Sequence, residues 1–362
     1  MTFDELGPLK IEEHYFPSLG LKAYVVVDNT ALGPSIGGVR VSPNVTIEEI
    51  ARLARTMTLK NSIAGLPHGG GKAGIVADPK DERIETFFRA FARRIKSLEE
   101  YIPGPDMGSN EESMAWIYDE IGRAVGLPEE LGGLPLDKLG ATGYGLSECA
   151  DIALSFRGLS LKGVRVAIQG FGSVGKAVAR FLSEKGAIII AVSDTKGTIY
   201  APEGLMVKEL MEVKKTTGSV VNYNRGERLS AEEILSIECD ILIPAANPDV
   251  ITMKNVGSVK AKIILEGANI PVNLDAEEVL YKKGILVVPD FIANAGGVIM
   301  AWMEYNHRTQ EEAFNAIRDK IRKNTGLILE RSLKEKVSPR KAAVAIAKER
   351  ILSAMRYRLV AK

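Results

Sequence analysis

Apolar positions along the chain change period several times. Residues 20–27 (GLKAYVVV) and 72–77 read as short strands, whereas Ile47–Ile63 and residues 83–98 place apolar side chains at helical spacing. The first third therefore predicts a mixed α/β layer. From Val164 the pattern sharpens: VRVAIQG is a buried strand, a glycine-rich turn follows, and KAVARFLSEKG is a helix closed by Gly186. Further strands at 187–194 (AIIIAVSD), 239–245 (CDILIPA), 261–267 (AKIILEG) and 284–290 (GILVVPD) alternate with polar or helical segments. The stretch 140–300 thus predicts a doubly wound parallel sheet of the Rossmann kind. Residues 297–330 and 339–358 predict helices separated by the turn VSPR at 337–340.

Length and charge narrow this picture. At about 150 residues per domain, 362 residues suggest two domains, with room for a third. The Gly/Pro-rich stretch 126–140 is the natural junction. We expect one mixed α/β domain over 1–135, rejoined by C-terminal helices from about 331 to 362, and a Rossmann-like domain over 136–330, with a cleft between them. Forty-seven basic against 46 acidic residues leave a net charge of +1, so no global field draws in nucleic acid or an anionic membrane. Any charged ligand must be met locally. Cys149 and Cys239 form no CxxC pair, and His14, His68 and His307 are scattered, so no metal site is encoded. No leader or membrane-spanning run is evident, and the expected location is cytoplasmic.

Gly170-Phe171-Gly172-Ser173-Val174-Gly175 matches G-x-G-x-x-G. The glycines allow a tight turn, close approach to a pyrophosphate and close helix packing, and the amides of the helix start face the phosphates. The hexapeptide alone also fits an ordinary turn. Its place between a strand and a helix, with a second strand ending in Asp194 24 residues after Gly170, favours dinucleotide binding. Asp194 is placed to accept hydrogen bonds from the ribose hydroxyls, which favours NAD. Lys196, two residues on, can neutralise a 2′-phosphate, so NADP stays open.

In the first domain Lys60 and Lys72 stand twelve apart, the second in the run Gly69-Gly70-Gly71-Lys72-Ala73-Gly74. A P-loop would need glycine at 66 and a hydroxyl at 73, where the chain has Leu66 and Ala73. A lysine among glycines is instead a cation that a small substrate can approach closely, or simply a solvated turn residue. Asp106 lies in YIPGPDMGS at 101–109, too rich in glycine and proline for a helix. A desolvated lysine beside an aspartate suits proton transfer to and from a carbonyl or amine, although an aspartate supporting its own turn would read the same.

Together these segments resemble the Glu/Leu/Phe/Val amino-acid dehydrogenase family. The matching stretches are GPSIGGVR at 33–40, MTLKNSIAGLPHGGGKAGI at 57–75, YIPGPDMGSNEESMAW at 101–116, VAIQGFGSVGKAVARFL at 166–182, CDILIPAAN at 239–247, ILEGANIPV at 264–272 and VPDFIANAGGVIMAWMEY at 288–305. The resemblance implies reversible NAD(P)-dependent oxidative deamination of an L-amino acid to a 2-oxo acid and ammonium, in a homo-oligomer. It implies that Lys60 binds the α-carboxylate, Lys72 activates water and stabilises the carbinolamine, and Asp106 shuttles protons. It also implies cofactor contacts at Thr142 and Asn269, and an active-site asparagine at Asn294 near nicotinamide and substrate.

Glutamate-specific members of the family carry a lysine in G-P-x-K-G-G, where this chain has Ile36, and a serine three residues after the valine of N-A-G-G-V, where Val298 is followed by Ala301. A substrate carboxylate against Ile36 and Ala301 would lack partners. An aliphatic or aromatic side chain would gain from them, and Gly104 suggests a roomy wall. The expectation is therefore an apolar, leucine-like substrate. Glutamate is the alternative, because ILIPAAN and VSDTKGTIY read more like glutamate enzymes; Arg40 or His68 would then supply polarity. A catalytically silent nucleotide-binding member is a third reading, opposed by intact Lys60, Lys72 and Asp106. A hydroxy-acid dehydrogenase with a catalytic histidine rests only on the three scattered histidines.

Overall fold

Strand-forming runs of the first third assemble one mixed sheet in the computed structural model, which describes residues 3–358. They are β1 (Lys10–Phe16), β2 (Leu21–Asn29), β3 (Ser35–Val41), β4 (Gly69–Val76) and β5 (Tyr101–Pro105), in the order β1-β2-β4-β3-β5. β1 pairs with β2 and β2 with β4 antiparallel, while β3 runs parallel to both β4 and β5. Between them come α1 (Ile47–Ile63), α2 (Ile84–Arg94) and, after β5, α3 (Glu111–Ile121). Alternation along each strand divides the sheet into two faces. Val25, Val39, Ala73, Ile75 and Tyr101 face α2 and α3, where Phe87, Phe88, Phe91, Met114 and Ile117 complete the core. The opposite face receives α1, through Val26, Ile50, Ala51 and Ala54. Thr46 caps that helix, its side chain accepting the Glu49 N–H.

The second sheet has seven strands: β6 (Arg165–Gln169), β7 (Ile188–Asp194), β8 (Gly197–Tyr200), β9 (Glu227–Leu229), β10 (Ile241–Pro244), β11 (Ile263–Leu265) and β12 (Leu286–Val288). Their order is β12-β11-β10-β6-β7-β8-β9. The run from β12 to β7 is parallel, as the buried apolar segments require. β8 and β9 differ from the all-parallel expectation. Both are short and antiparallel: the two-residue turn Thr195-Lys196 folds β8 straight back on β7, and β9 pairs with β8 to form the edge. The helices are α4 (Leu136–Leu139), α5 (Ala141–Phe156), α6 (Ser173–Glu184), α7 (Val207–Thr217), α8 (Leu274–Lys282), α9 (Asp290–Ala293), α10 (Gly296–Tyr305), α11 (Gln310–Glu335) and α12 (Pro339–Met355). Gly186 takes up a left-handed conformation just past α6, as its position at the helix end predicts.

The chain divides into two units: Met1–Leu136 with Val298–Ala313 and Val344–Lys362, and Asp137–Gly297 with Phe314–Ala343. Residues 298–313 belong with the first sheet, and 331–343 with the second, where the sequence expectation had 331–362 returning as one piece. Specific contacts account for this. Glu304 accepts the backbone N–H groups of Leu127 and Leu134 at 3.0 and 2.8 Å. Arg350 donates to the Ser62 and Ile63 carbonyls at the end of α1. Arg340 instead pairs with Glu266, Glu277 and Asp290 of the second unit. Among the described residues no helix is long and apolar enough to cross a membrane.

Candidate active site

Lys72 lies in the middle of β4, not in a turn, and is 6% exposed. The register aligns Ile36 with Gly70 and Arg40 with Gly74 across β3 and β4, and Ile36 with Ile102 and Gly38 with Gly104 across β3 and β5. Period-two alternation therefore puts Ile36, Gly38, Arg40, Gly70, Lys72, Ile102 and Gly104 on one face, and carries Asp106 onto it just past the end of β5. Glycine is what lets these polar groups converge. A Cβ at Gly38 would stand 2.6 Å from the Asp106 Cβ and 3.2 Å from the Lys72 Nζ, and one at Gly70 would stand 2.0 Å from the Thr58 backbone nitrogen.

Lys72 Nζ donates to Asp106 Oδ2 at 3.2 Å, and Arg40 Nε donates to the same oxygen at 2.9 Å. Arg40 also pairs with Glu49. Burial pushes the Lys72 amine below its ordinary value; Asp106 pulls it up but does not win, and Arg40 adds to the depression. For Asp106, burial pushes the carboxyl up, but Lys72 and Arg40 together outweigh it and hold it below the usual carboxylate range. The pair is thus an amine able to give up its proton beside an acid that stays ionised, and Arg40 is the member whose role the sequence did not reveal. Lys60 is buried in the last turn of α1, whose following residue, Asn61, bonds the Gly69 carbonyl at the start of β4.

Beside this cluster Ile36, Ile102, Val125 and Ala301 form one buried apolar group. A Cβ at Gly104 would meet Val125 Cγ2 at 3.0 Å, so Gly104 does line this wall. Val298, one turn before Ala301 on α10, is half-buried. Glu304, one turn further on α10, anchors the loop that follows Val125 through Leu127 and Leu134. No sequence motif flagged it. His68 is buried, its Nδ1 3.0 Å from the Pro34 carbonyl oxygen, and its ring stands edge-on to Tyr305.

In the second unit the turn at 170–175 needs glycine for its shape. Gly170 has φ +94°, and a Cβ at Gly175 would fall 1.9 Å from the Gly170 carbonyl oxygen. Around Gly172, the N-cap of α6, a Cβ would meet nothing within 4 Å, and no side chain caps the first turn. The amides opened by Ser173 and Val174 are therefore available to an anion. α5 packs close by: a Cβ at Gly143 would strike Ala177 of α6, and one at Gly296 would stand 3.1 Å from the Thr142 Cα. Thr142 thus borders the turn carrying Asn294. Asn294 Nδ2 donates to the Gly267 and Ala268 carbonyls and to Asn269 Oδ1, at 3.3, 3.1 and 3.2 Å. Its Oδ1 is buried with no hydrogen-bond partner in the protein, which leaves an acceptor unused. Ile270, next to Asn269, is a β-branched residue at φ +50°, a strained conformation held by its N–H bond to Asp290 Oδ2. These residues fit a nicotinamide dinucleotide.

Asp194 does not present the free carboxylate that the sequence suggested. Oδ1 accepts from the Lys196 N–H and Ser219 Oγ at 2.9 and 3.0 Å, and Oδ2 accepts from Lys214 Nζ and the Val220 N–H at 2.7 and 2.8 Å. Its four acceptor positions are taken by the protein.

A buried lysine–aspartate pair in one unit and a glycine turn at an uncapped helix start in the other are groups of the kind a dehydrogenase uses, and that is the class this fold points to. The family model described as "Glu/Leu/Phe/Val dehydrogenase, dimerisation domain" matches residues 17–123, and that described as "Glutamate/Leucine/Phenylalanine/Valine dehydrogenase" matches 132–358. The chain is 45% identical over 356 residues to a glutamate dehydrogenase of Aeropyrum pernix, covering 91% of this chain and 85% of that one. It is 41% identical over 354 residues to an NADP-specific glutamate dehydrogenase of Saccharolobus shibatae, covering 91% and 83%. A solved hetero-hexameric glutamate dehydrogenase from Thermus thermophilus, in a Leu-bound form, matches with a TM-score of 0.87 and 33% identity over 97% of this chain and 90% of that one. The chain belongs to the Glu/Leu/Phe/Val dehydrogenase family and is an NAD(P)-dependent amino-acid dehydrogenase. Both NADP-specific and NAD-specific enzymes occur among its relatives.

Proposed function

We propose that this protein oxidatively deaminates L-glutamate to the corresponding 2-oxo acid and ammonium, as an oligomer of its own chain. The buried Lys72–Asp106 pair is the observation that supports the chemistry. Lys60 supplies the charge that holds the α-carboxylate. Lys72, easily made neutral, takes a proton from the attacking water and returns it as the carbinolamine breaks down; Asp106 carries protons between amine and water. Asn294 Oδ1 accepts an N–H from the bound cofactor or substrate. The nicotinamide, when bound, accepts the hydride from the α-carbon. Gly170, Gly172 and Gly175 would hold its pyrophosphate, and Thr142 and Asn269 would supply further contacts.

The choice of glutamate rests on the named relatives, and it reverses the order of preference drawn from Ile36 and Ala301 alone. One observation favours a second reading, an apolar amino acid. Ile36, Ile102, Val125 and Ala301 offer a carboxylate no partner, and Arg40 is engaged by Asp106 and Glu49. Stranding a charge there costs several kcal/mol. A panel of L-amino acids with NAD and with NADP, followed by absorbance of the reduced cofactor, separates the two. Glutamate ranking first supports the proposal, and leucine or phenylalanine ranking first refutes it in favour of the apolar reading.

A further inference from the structure

An arginine in the first turn of a helix is poorly placed by the helix itself, because the open amides there already carry positive partial charge. Arg340 stands in that position, second in α12, within the VSPR stretch that the sequence marks only as a turn. Three carboxylates account for it. Its Nη2 donates to Glu266 Oε2, its Nε to Glu277 Oε2 and its Nη1 to Asp290 Oδ1, and these acids are 0%, 3% and 1% exposed. Glu277 lies on α8, but Glu266 and Asp290 open the two turns that hold Asn294. Glu266 directly precedes Gly267 and Ala268, whose carbonyls accept from Asn294 Nδ2 at 3.3 and 3.1 Å. Asp290 accepts the Asn294 N–H on its main-chain oxygen at 3.0 Å. The two acids are themselves joined, the Asp290 N–H donating to Glu266 Oε2 at 2.8 Å. Asp290 Oδ2 also accepts the Ile270 N–H at 3.0 Å, which fixes a β-branched residue at φ +50°. A chain leaves that conformation unless its surroundings hold it. Without the guanidinium, Asp290 Oδ1 loses its donor while the carboxyl stays buried. The carboxyl is then free to turn and release Ile270, and the carbonyls that hold Asn294 shift with it.

We propose that Arg340 is a positioning residue for the reaction: through Glu266 and Asp290 it sets the two turns that hold the Asn294 amide, and so the place where Asn294 Oδ1 meets the bound cofactor or substrate. The inference rests on the role proposed above for Asn294. A double-mutant cycle on kcat/KM, measured on the full chain, tests it. Asn294→Ala should lower kcat/KM by at least about tenfold, the effect of one lost hydrogen bond, and Arg340→Met should do the same. The two changes together should cost no more than Asn294→Ala alone, within about threefold, because Arg340 acts through that amide. A loss that came only from a weakened fold would multiply with that of Asn294→Ala. Multiplied losses, or wild-type kcat/KM in Arg340→Met, therefore overturn the proposal. Urea titration shows whether each variant is folded under the assay conditions. If Arg340→Met is not, Arg340→Lys, which keeps a charge but cannot serve three acids at once, and Asp290→Asn enter the same cycle with the same two refuting outcomes. Unchanged turnover in Asn294→Ala would overturn the role of Asn294, and the proposal with it; multiplied losses overturn the proposal alone.

Discussion

Replacing Lys72 by methionine keeps an unbranched side chain of similar volume and removes only the amine. In the folded protein that amine is 6% exposed and meets one carboxylate oxygen, Asp106 Oδ2, at 3.2 Å. An ammonium has three donors, so this pair engages one. Each buried donor without a partner costs roughly 1–3 kcal/mol. Replacing a whole buried ion pair by apolar residues of like volume is commonly neutral or stabilising by about 1–4 kcal/mol, whereas removing one partner costs about 3–5 kcal/mol when it leaves the other charge uncompensated. Asp106 is not stranded by the change, because Arg40 Nε still donates to the same oxygen at 2.9 Å. Because Arg40 keeps Asp106 paired and the desolvation of the amine is relieved, the variant should be about as stable as wild type near neutral pH, not about 3–5 kcal/mol less stable as for an acid left without a cation, while turnover falls by about 10²–10⁴ or more.

The pH dependence carries a sign. Burial depresses the Lys72 pKa in the folded state relative to about 10.4 in the unfolded chain, so between those values the unfolded chain holds more protons. Wild-type stability from this group rises with pH through that window. The stability of Lys72→Met relative to wild type is thus greatest below the folded pKa and falls toward alkaline pH. Urea denaturation of both proteins across that range, with cofactor binding as a check on folding, measures it. A methionine variant clearly less stable than wild type at neutral pH would refute the desolvation argument, and retained turnover would refute the catalytic assignment.

Other outcomes follow from the same structure. Arg40→Gln should move the acid limb of the kcat/KM profile to higher pH, because the Asp106 carboxyl loses one of the two cations that offset its burial; an unmoved limb would mean that Arg40 does not act through Asp106. Ile36→Lys with Ala301→Ser should raise glutamate turnover relative to leucine by at least about tenfold, since it adds charged and hydroxyl partners to the apolar wall; an unchanged ratio would place the side-chain pocket elsewhere. Arg340→Met should destabilise the protein by about 3–5 kcal/mol in urea titration. It removes the one guanidinium that pairs with Glu266, Glu277 and Asp290, all nearly fully buried, and a loss below about 1 kcal/mol would show those acids to be neutral without it.

Local pattern was enough for the parts of this protein that depend on neighbours in sequence. Glycines at 170, 172 and 175 between a buried strand and an amphipathic helix specify a nucleotide turn, because the turn needs only backbone freedom and an uncapped helix start. The parallel order of β6, β7, β10, β11 and β12 follows from continuous apolar runs with helical connections. Lys72 and Asp106 could be singled out by residue type and motif.

What the sequence left undecided depended on pairing across the sheet. β1 and β3 went unread, β3 because its glycines hide the alternation that packing supplies. Lys72 among glycines looked like a turn lysine until the register with β3 buried it beside Arg40 and Asp106, 34 residues beyond it in the chain. Asp194 had the right place for a ribose acceptor, but its lone pairs are claimed by α7 and the residues after it, 20 to 26 positions on. Burial, charge balance and free hydrogen-bonding capacity are properties of surroundings, so they exist only once the chain has folded. The choice of groups that can do chemistry was written in the residues; which of them are charged, paired or free to meet a ligand was decided by tertiary structure.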